Sequence, residues 1–193
     1  MESTPCSPAR GRPEQVPAKV SWRRISAGYA GVLVRLPPSR QRLLTIRGIV
    51  RRESGSFEKA LLDFNAVIGK AEGRRGQRHA IDAAMAHAGM GKTYRKLGEA
   101  GLKQGRESEA MSYFAAACES LRESVAIFMQ DSGEKALFSW ELAYVLNALG
   151  EVEQLLGRHG AAEQCFEAAM VACPRFGKAK KNWLSVDLRL VYE

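Results

Sequence analysis

Histidine is scarce in this chain, cysteine is scattered and long apolar runs are missing, and each shortage closes a class of function. The three histidines, His79, His87 and His159, have no mutual spacing that suits a metal or a catalytic base, and His159 falls at a turn where an exposed side chain is expected. The four cysteines, Cys6, Cys118, Cys165 and Cys173, form no C-x-x-C pair. That argues against a zinc site or a disulfide framework and for buried free thiols in a reducing compartment. No apolar stretch approaches the roughly 20 residues that a membrane-spanning helix needs. Residues 25–36 (ISAGYAGVLVRL) are apolar but too short to span, and they lack a small-residue cleavage site for secretion. No Ser, His and acid cluster can be assembled, so the reading is not an enzyme, and no catalytic residue, cofactor or metal is expected.

Acidic residues are absent from Lys19 to Arg52. Residues 1–52 hold 11 Lys and Arg against 2 Asp and Glu, whereas the remainder holds 18 against 19, so the basic excess sits in the N-terminal quarter. Pro5, Pro8, Pro13 and Pro17 with few apolar neighbours predict a disordered, basic, Pro-rich arm over residues 1–38. An Arg-rich, acid-free segment also suits a mitochondrial transit peptide, against which Glu2 and Glu14 count. The expected location is cytoplasmic, with mitochondrial as the alternative. The Gly89-Met90-Gly91-Lys92-Thr93 run looks like the end of a phosphate-binding loop. The full motif needs a glycine where Ala86 stands and a preceding strand where residues 78–88 read as helix, so Lys92 is expected on a helix surface.

What the chain does contain is a repeat. Gly48, Gly55, Ala60 and Phe64 recur as Gly98, Gly105, Ala110 and Phe114, and again as Gly150, Gly157, Ala162 and Phe166. Each set reads Gly-x6-Gly-x4-Ala-x3-Phe. The first glycine admits close helix approach, and the second, two turns on, ends the helix in a left-handed cap. Alanine is the contact on the returning helix, and phenylalanine one turn later fills the gap between hairpins. Leu44, Tyr94 and Leu146 precede the first glycine by four residues, and Val67, Ala117 and Ala169 follow the phenylalanine by three, all on the expected buried face. The spacing predicts long helices: no proline stands between Gly73 and Gly105, where Ile81, Met85, Ala88, Thr93 and Leu97 keep helical register. Between Glu107 and Gln130 the apolar set is Met111, Phe114, Cys118, Leu121, Val125 and Phe128.

This pattern resembles the tetratricopeptide repeat (TPR) over residues 40–176. The third copy matches best, with Ala143-Tyr144-Val145-Leu146, Leu149-Gly150, Leu156-Gly157, Ala162, Phe166, Ala169 and a closing Pro174. The second has Arg122 in place of the proline, and the first has Arg47 before Gly48 and Glu72 in place of the proline. The Phe64–Phe114 and Phe114–Phe166 periods of 50 and 52 residues exceed the roughly 34 of an ordinary TPR, which resembles the longer-armed repeats of kinesin light chains and polarity adaptors. The resemblance implies an all-α, right-handed solenoid of about three hairpins over residues 39–176. A C-terminal capping segment, 177–193, is read as helix with apolar residues on two faces and a capacity for self-association. It also implies that the first helices line a concave groove.

Those helices carry Arg42, Arg47 and Arg51, then Lys92, Arg95 and Lys96, with Tyr94 and Tyr144 as apolar anchors. The partner-binding groove is accordingly read as Arg47, Arg51, Lys92, Tyr94, Arg95, Lys96 and Tyr144. The clamp by which some TPR domains grip the C-terminal carboxylate of heat-shock chaperones is not matched: Thr45, Ile49, Lys96, Tyr144 and Ala148 occupy its positions. The function implied is a non-enzymatic scaffold for an acidic or amphipathic segment of a protein partner. The alternative is nucleic-acid or anionic-surface binding through the basic arm, with the repeats as platform.

Overall fold

A computed structural model describes residues 39–71, 76–130 and 139–175; the N-terminal arm of residues 1–38 and the C-terminal segment 177–193 lie outside the described residues. Six α-helices and no strand occur among them: α1 (Arg40–Glu53), α2 (Phe57–Ala71), α3 (Gln77–Lys103), α4 (Glu107–Gln130), α5 (Ser139–Leu155) and α6 (His159–Ala172). The long period resides in α3 and α4, which run 27 and 24 residues, as the sequence predicts. The most extensive contacts are between successive partners, α1 with α2, α3 with α4 and α5 with α6.

Three near-identical turns join these partners. Gly55, Gly105 and Gly157 adopt φ of +83°, +72° and +73°, the left-handed conformation expected of the second glycine of each set. The amide of the next residue then bonds back five residues, Ser56 to the Arg51 carbonyl at 2.8 Å, Arg106 to Gly101 and Arg158 to Glu153 at 2.9 Å. That is the six-to-one bond of a Schellman cap. The carbonyls of Ser56, Arg106 and Arg158 next accept from Ala60, Ala110 and Ala162, so one residue closes the first helix and opens the second.

The first glycine of each set meets its phenylalanine. A methyl group built on Gly48 would lie 2.7 Å from the Phe64 ring, and one on Gly98 would lie 2.5 Å from Phe114; Gly150 abuts Phe166 in the same way. All three rings and the alanines Ala60, Ala110 and Ala162 are fully buried, as are Val67, Ala117 and Ala169. Phe64 is also covered by Gly89 of α3, so it packs between two hairpins. Gly91, two residues on, lies against Leu121 and the Ala117 carbonyl of α4. The glycines that mimic a phosphate loop are thus contact points of one continuous helix with neighbours on two sides.

One principal apolar cluster runs through α1 to α5, from Ile49 to Val152. Phe166 and Ala162 form a separate small cluster in the last hairpin, and Ala143, Leu146 and Ala169 another. Polar links cross α3 on both sides. The Arg42 Nε donates to Asp82 at 3.1 Å with both side chains 3% exposed, while Ser39 caps α1 and donates to the same carboxylate. The Ser124 hydroxyl on α4 donates to the Ala84 carbonyl at 2.7 Å.

Three expectations are corrected. Met111 is 42% exposed, because it lies to one side of the α4 stripe that buries Ala110, Phe114 and Ala117. His159 is half-buried as the first residue of α6. Lys92 is buried at 8% exposure, because the face of α3 that carries it turns toward α5 and not toward solvent.

Candidate functional site

Counting from the packing glycine explains how charged residues meet. Six residues before it stand Arg42, Lys92 and Tyr144, the same position of three first helices. Each of the first two reaches toward the next first helix: Arg42 of α1 to Asp82 of α3, and Lys92 of α3 to Tyr144 of α5. The Lys92 ammonium lies 3.2 Å from the centre of the Tyr144 ring, where the negative face of the ring attracts it.

Around this contact is a pocket of about 100 Å³ lined by Arg52, Glu53, Lys92, Arg95, Lys96, Tyr144, Asn147, Ala148 and Glu151. Two helical stripes form opposite walls. On α3, Lys92, Arg95 and Lys96 follow i, i+3, i+4 spacing; on α5, Tyr144, Asn147, Ala148 and Glu151 follow i, i+3, i+4, i+7. The last turn of α1 closes one end with Arg52 and Glu53.

Ion pairs hold the walls together. Glu53 accepts from Arg52 Nε at 3.0 Å and Nη2 at 2.9 Å, and from the Lys96 ammonium at 3.0 Å. Glu151 accepts from Arg95 and from the Asn147 amide, while Arg95 shares Glu99 at 3.3 Å. Partial burial alone would raise the Glu53 carboxyl; the Arg52 charge and the Lys96 hydrogen bond outweigh it, and the net shift is downward. Burial raises the Tyr144 phenol, with Arg52 acting in the opposite sense.

Of the sequence-predicted groove residues, Lys92, Arg95, Lys96 and Tyr144 converge here. Arg47 and Arg51 do not. Both turn to Asp63 of α2, a carboxylate 3% exposed that accepts from Arg47 at 2.6 Å and Arg51 at 2.7 Å. A buried carboxylate demands cationic partners, and these two lie on the adjoining helix within reach. The same Asp63 raises the Arg47 guanidinium further through its hydrogen bonds. Tyr94 also lies elsewhere, stacked on Tyr113 of α4 with ring centres 6.4 Å apart. It stands four residues before the packing glycine and Tyr144 stands six, so the two tyrosines occupy different faces. Arg52, Glu53, Asn147, Ala148 and Glu151 are additions; the α5 residues follow from Tyr144 by helical spacing, whereas Arg52 and Glu53 carry no periodic signal.

A second polar cluster lies on α4–α6. Glu153, 1% exposed, accepts from Arg122 at 2.6 Å and from Arg158 at 3.4 Å. Burial, then the Glu153 charge, push the Cys118 thiol up to about 12, and the same causes push Cys165 up to about 11. These are protonated thiols at neutral pH, poor nucleophiles and poor metal ligands. Among the described residues no group of three or more His, Cys, Asp or Glu could hold a metal ion, and no helix is long and apolar enough to cross a membrane.

Compared with protein-family models, with curated proteins and with solved structures, the chain matches none.

Proposed function

We propose that this chain is a TPR-like helical scaffold that holds a segment of a protein partner against its first helices. One observation carries the reading: α1, α3 and α5, the first helices of three hairpins, contribute to a single pocket in which Lys92, Arg95 and Lys96 face Tyr144. The repeated glycine–phenylalanine contacts and Schellman turns support a solenoid arrangement, in which first helices share one surface. Converging cations raise the local positive potential and speed encounter with an acidic segment, while the half-buried Tyr144 offers an apolar anchor.

Peptides selected on the full chain from a random display library test this reading. The expected result is enrichment of acidic residues beside an apolar one, with affinity reduced about tenfold or more by Tyr144→Ala or Lys96→Glu. Selected peptides that bind both variants like the parent would remove the groove from consideration. The second reading, an anion-binding N-terminal arm, is separated by salt. It requires single-stranded nucleic acid to bind with affinity that falls steeply as salt rises.

A further inference from the structure

The repeat carries its own control for which surfaces are normally covered. Five residues before the packing glycine stand Leu43, Thr93 and Val145. Thr93 is fully buried and Val145 is 3% exposed, whereas Leu43 is 59% exposed. The position is buried where a hairpin precedes it. On α3 the face that carries Thr93 is turned toward the first hairpin: Gly89, one turn before, abuts the Phe64 ring, and Lys96, one turn after, bonds Glu53 of α1 at 3.0 Å. On α5 the same stripe is Val145, Ala148 and Val152, all buried. Its counterpart on α1 is Leu43, Ile46 and Val50, the first exposed and the others half-buried, and no helix precedes α1 among the described residues. Leu62 on α2 is a contrast: it shares its repeat position with Ser112 and Gln164, which are exposed as well, so that position is outer surface in every hairpin. The α1 stripe is apolar where the other hairpins bury their equivalents.

We infer that residues 25–36 of the same chain fold back onto this stripe and cover the open end of the array, a contact that goes beyond the groove reading and does not depend on it. The end of a stacked array needs a cover whose outer face is polar. Residues 25–36 carry a single charge, Arg35, and Ile25, Tyr29, Leu33 and Leu36 recur in them at helical spacing, which gives one apolar side to lay on another. Only Pro37 and Pro38 separate them from Ser39, the N-cap of α1. Two prolines disfavour a helix running straight on toward the N-terminus and suit a chain that doubles back. Reach is sufficient: Leu43 to Val50 spans about 10 Å of α1, and twelve residues cover about 18 Å as a helix or about 40 Å extended. A short tether also supplies millimolar effective concentration, so a modest contact is occupied. A second copy of the chain has no such advantage, because three side chains fall well short of the roughly 800 Å² per partner of a stable interface.

The test uses the full chain with a reporter thiol, Leu43→Cys, labelled by a maleimide and followed at that site by peptide mass spectrometry. Leu102→Cys, the same substitution at a leucine 38% exposed, sets the rate of an uncovered thiol. The reporter at position 43 is expected to label about tenfold more slowly than the one at 102, at every protein concentration, although its own helix leaves it the more open of the two. Adding Leu33→Asp should restore the uncovered rate, and Tyr29→Asp repeats the comparison should the first variant fold poorly. Labelling at 43 as fast as at 102 overturns the inference. Slow labelling that neither arm substitution relieves also overturns it, since something other than residues 25–36 then covers Leu43. Slow labelling that quickens on dilution, together with a dimer mass at high concentration, assigns the stripe to a second copy and overturns it as well.

Discussion

At the residue scale, glycine does two different jobs here, and substitutions separate them. Gly98 is required for space: a single added carbon already lies 2.5 Å from the Phe114 ring. Gly98→Leu is expected to cost at least the upper part of the ~1–3 kcal/mol typical of overpacking, more than its helix-propensity gain of about 1 kcal/mol returns. Gly105 is required for conformation: an added carbon meets nothing within 4 Å, but φ is +72°. Gly105→Ala should cost about 1–2 kcal/mol, and Gly105→Asn less, because asparagine tolerates the left-handed region. Urea unfolding of the three variants checks the order; equal losses for Gly105→Ala and Gly105→Asn would mean that conformation is not the cause. Lys92 shows the limit of residue-level reading. Its type and spacing suggest a solvated lysine, yet the Tyr144 ring and burial make Lys92→Ala a loss of packing as well as of charge.

At the element scale, α3 is held to α1 by the buried Arg42–Asp82 pair. Asp82→Ala leaves a guanidinium 3% exposed without that carboxylate and is expected to cost about 3–5 kcal/mol, whereas replacing both residues by Met and Leu should be close to neutral. Glu109→Ala removes an exposed pair with Arg106 at the start of α4 and should cost under about 1 kcal/mol. Thermal melts of the single and double variants decide this; a double variant as unstable as Asp82→Ala would show that the pair itself stabilises. The helices, their turns and their packing residues were legible in the sequence because each packing position recurs three times at fixed offsets, as Gly48–Phe64, Gly98–Phe114 and Gly150–Phe166 demonstrate. The charged site was half legible. Arg95 and Lys96 share a stripe with Lys92, but nothing in the spacing says that Arg47 and Arg51 are captured by Asp63, since that depends on which carboxylate the neighbouring helix buries. Tyr94 misled for a related reason: a two-residue offset within the repeat sends it to Tyr113 and Tyr144 to Lys92.

At the scale of the whole molecule, the two raised thiols tie stability to alkaline pH. A thiol that titrates near 9 when unfolded and at about 12 when folded contributes fully below pH 9, and that contribution is lost as pH rises toward 12. Unfolding free energy is therefore expected to fall over this window, and Cys118→Ala should flatten the fall relative to the parent; identical slopes would place the titration elsewhere. The shared ring of Phe64 has a consequence for synthesis. Its first wall, Gly48, precedes it on the chain, but its second, Gly89, is translated 25 residues later. At roughly 5–20 residues per second the ring waits for a second or more before that wall is made, and longer while the ribosome tunnel conceals it. The first hairpin is thus an unfinished product when it emerges, with an aromatic face open to chaperones or to a second nascent chain. Protection arrives with α3, so the smallest piece that can leave the ribosome with this ring covered is one hairpin plus half of the next.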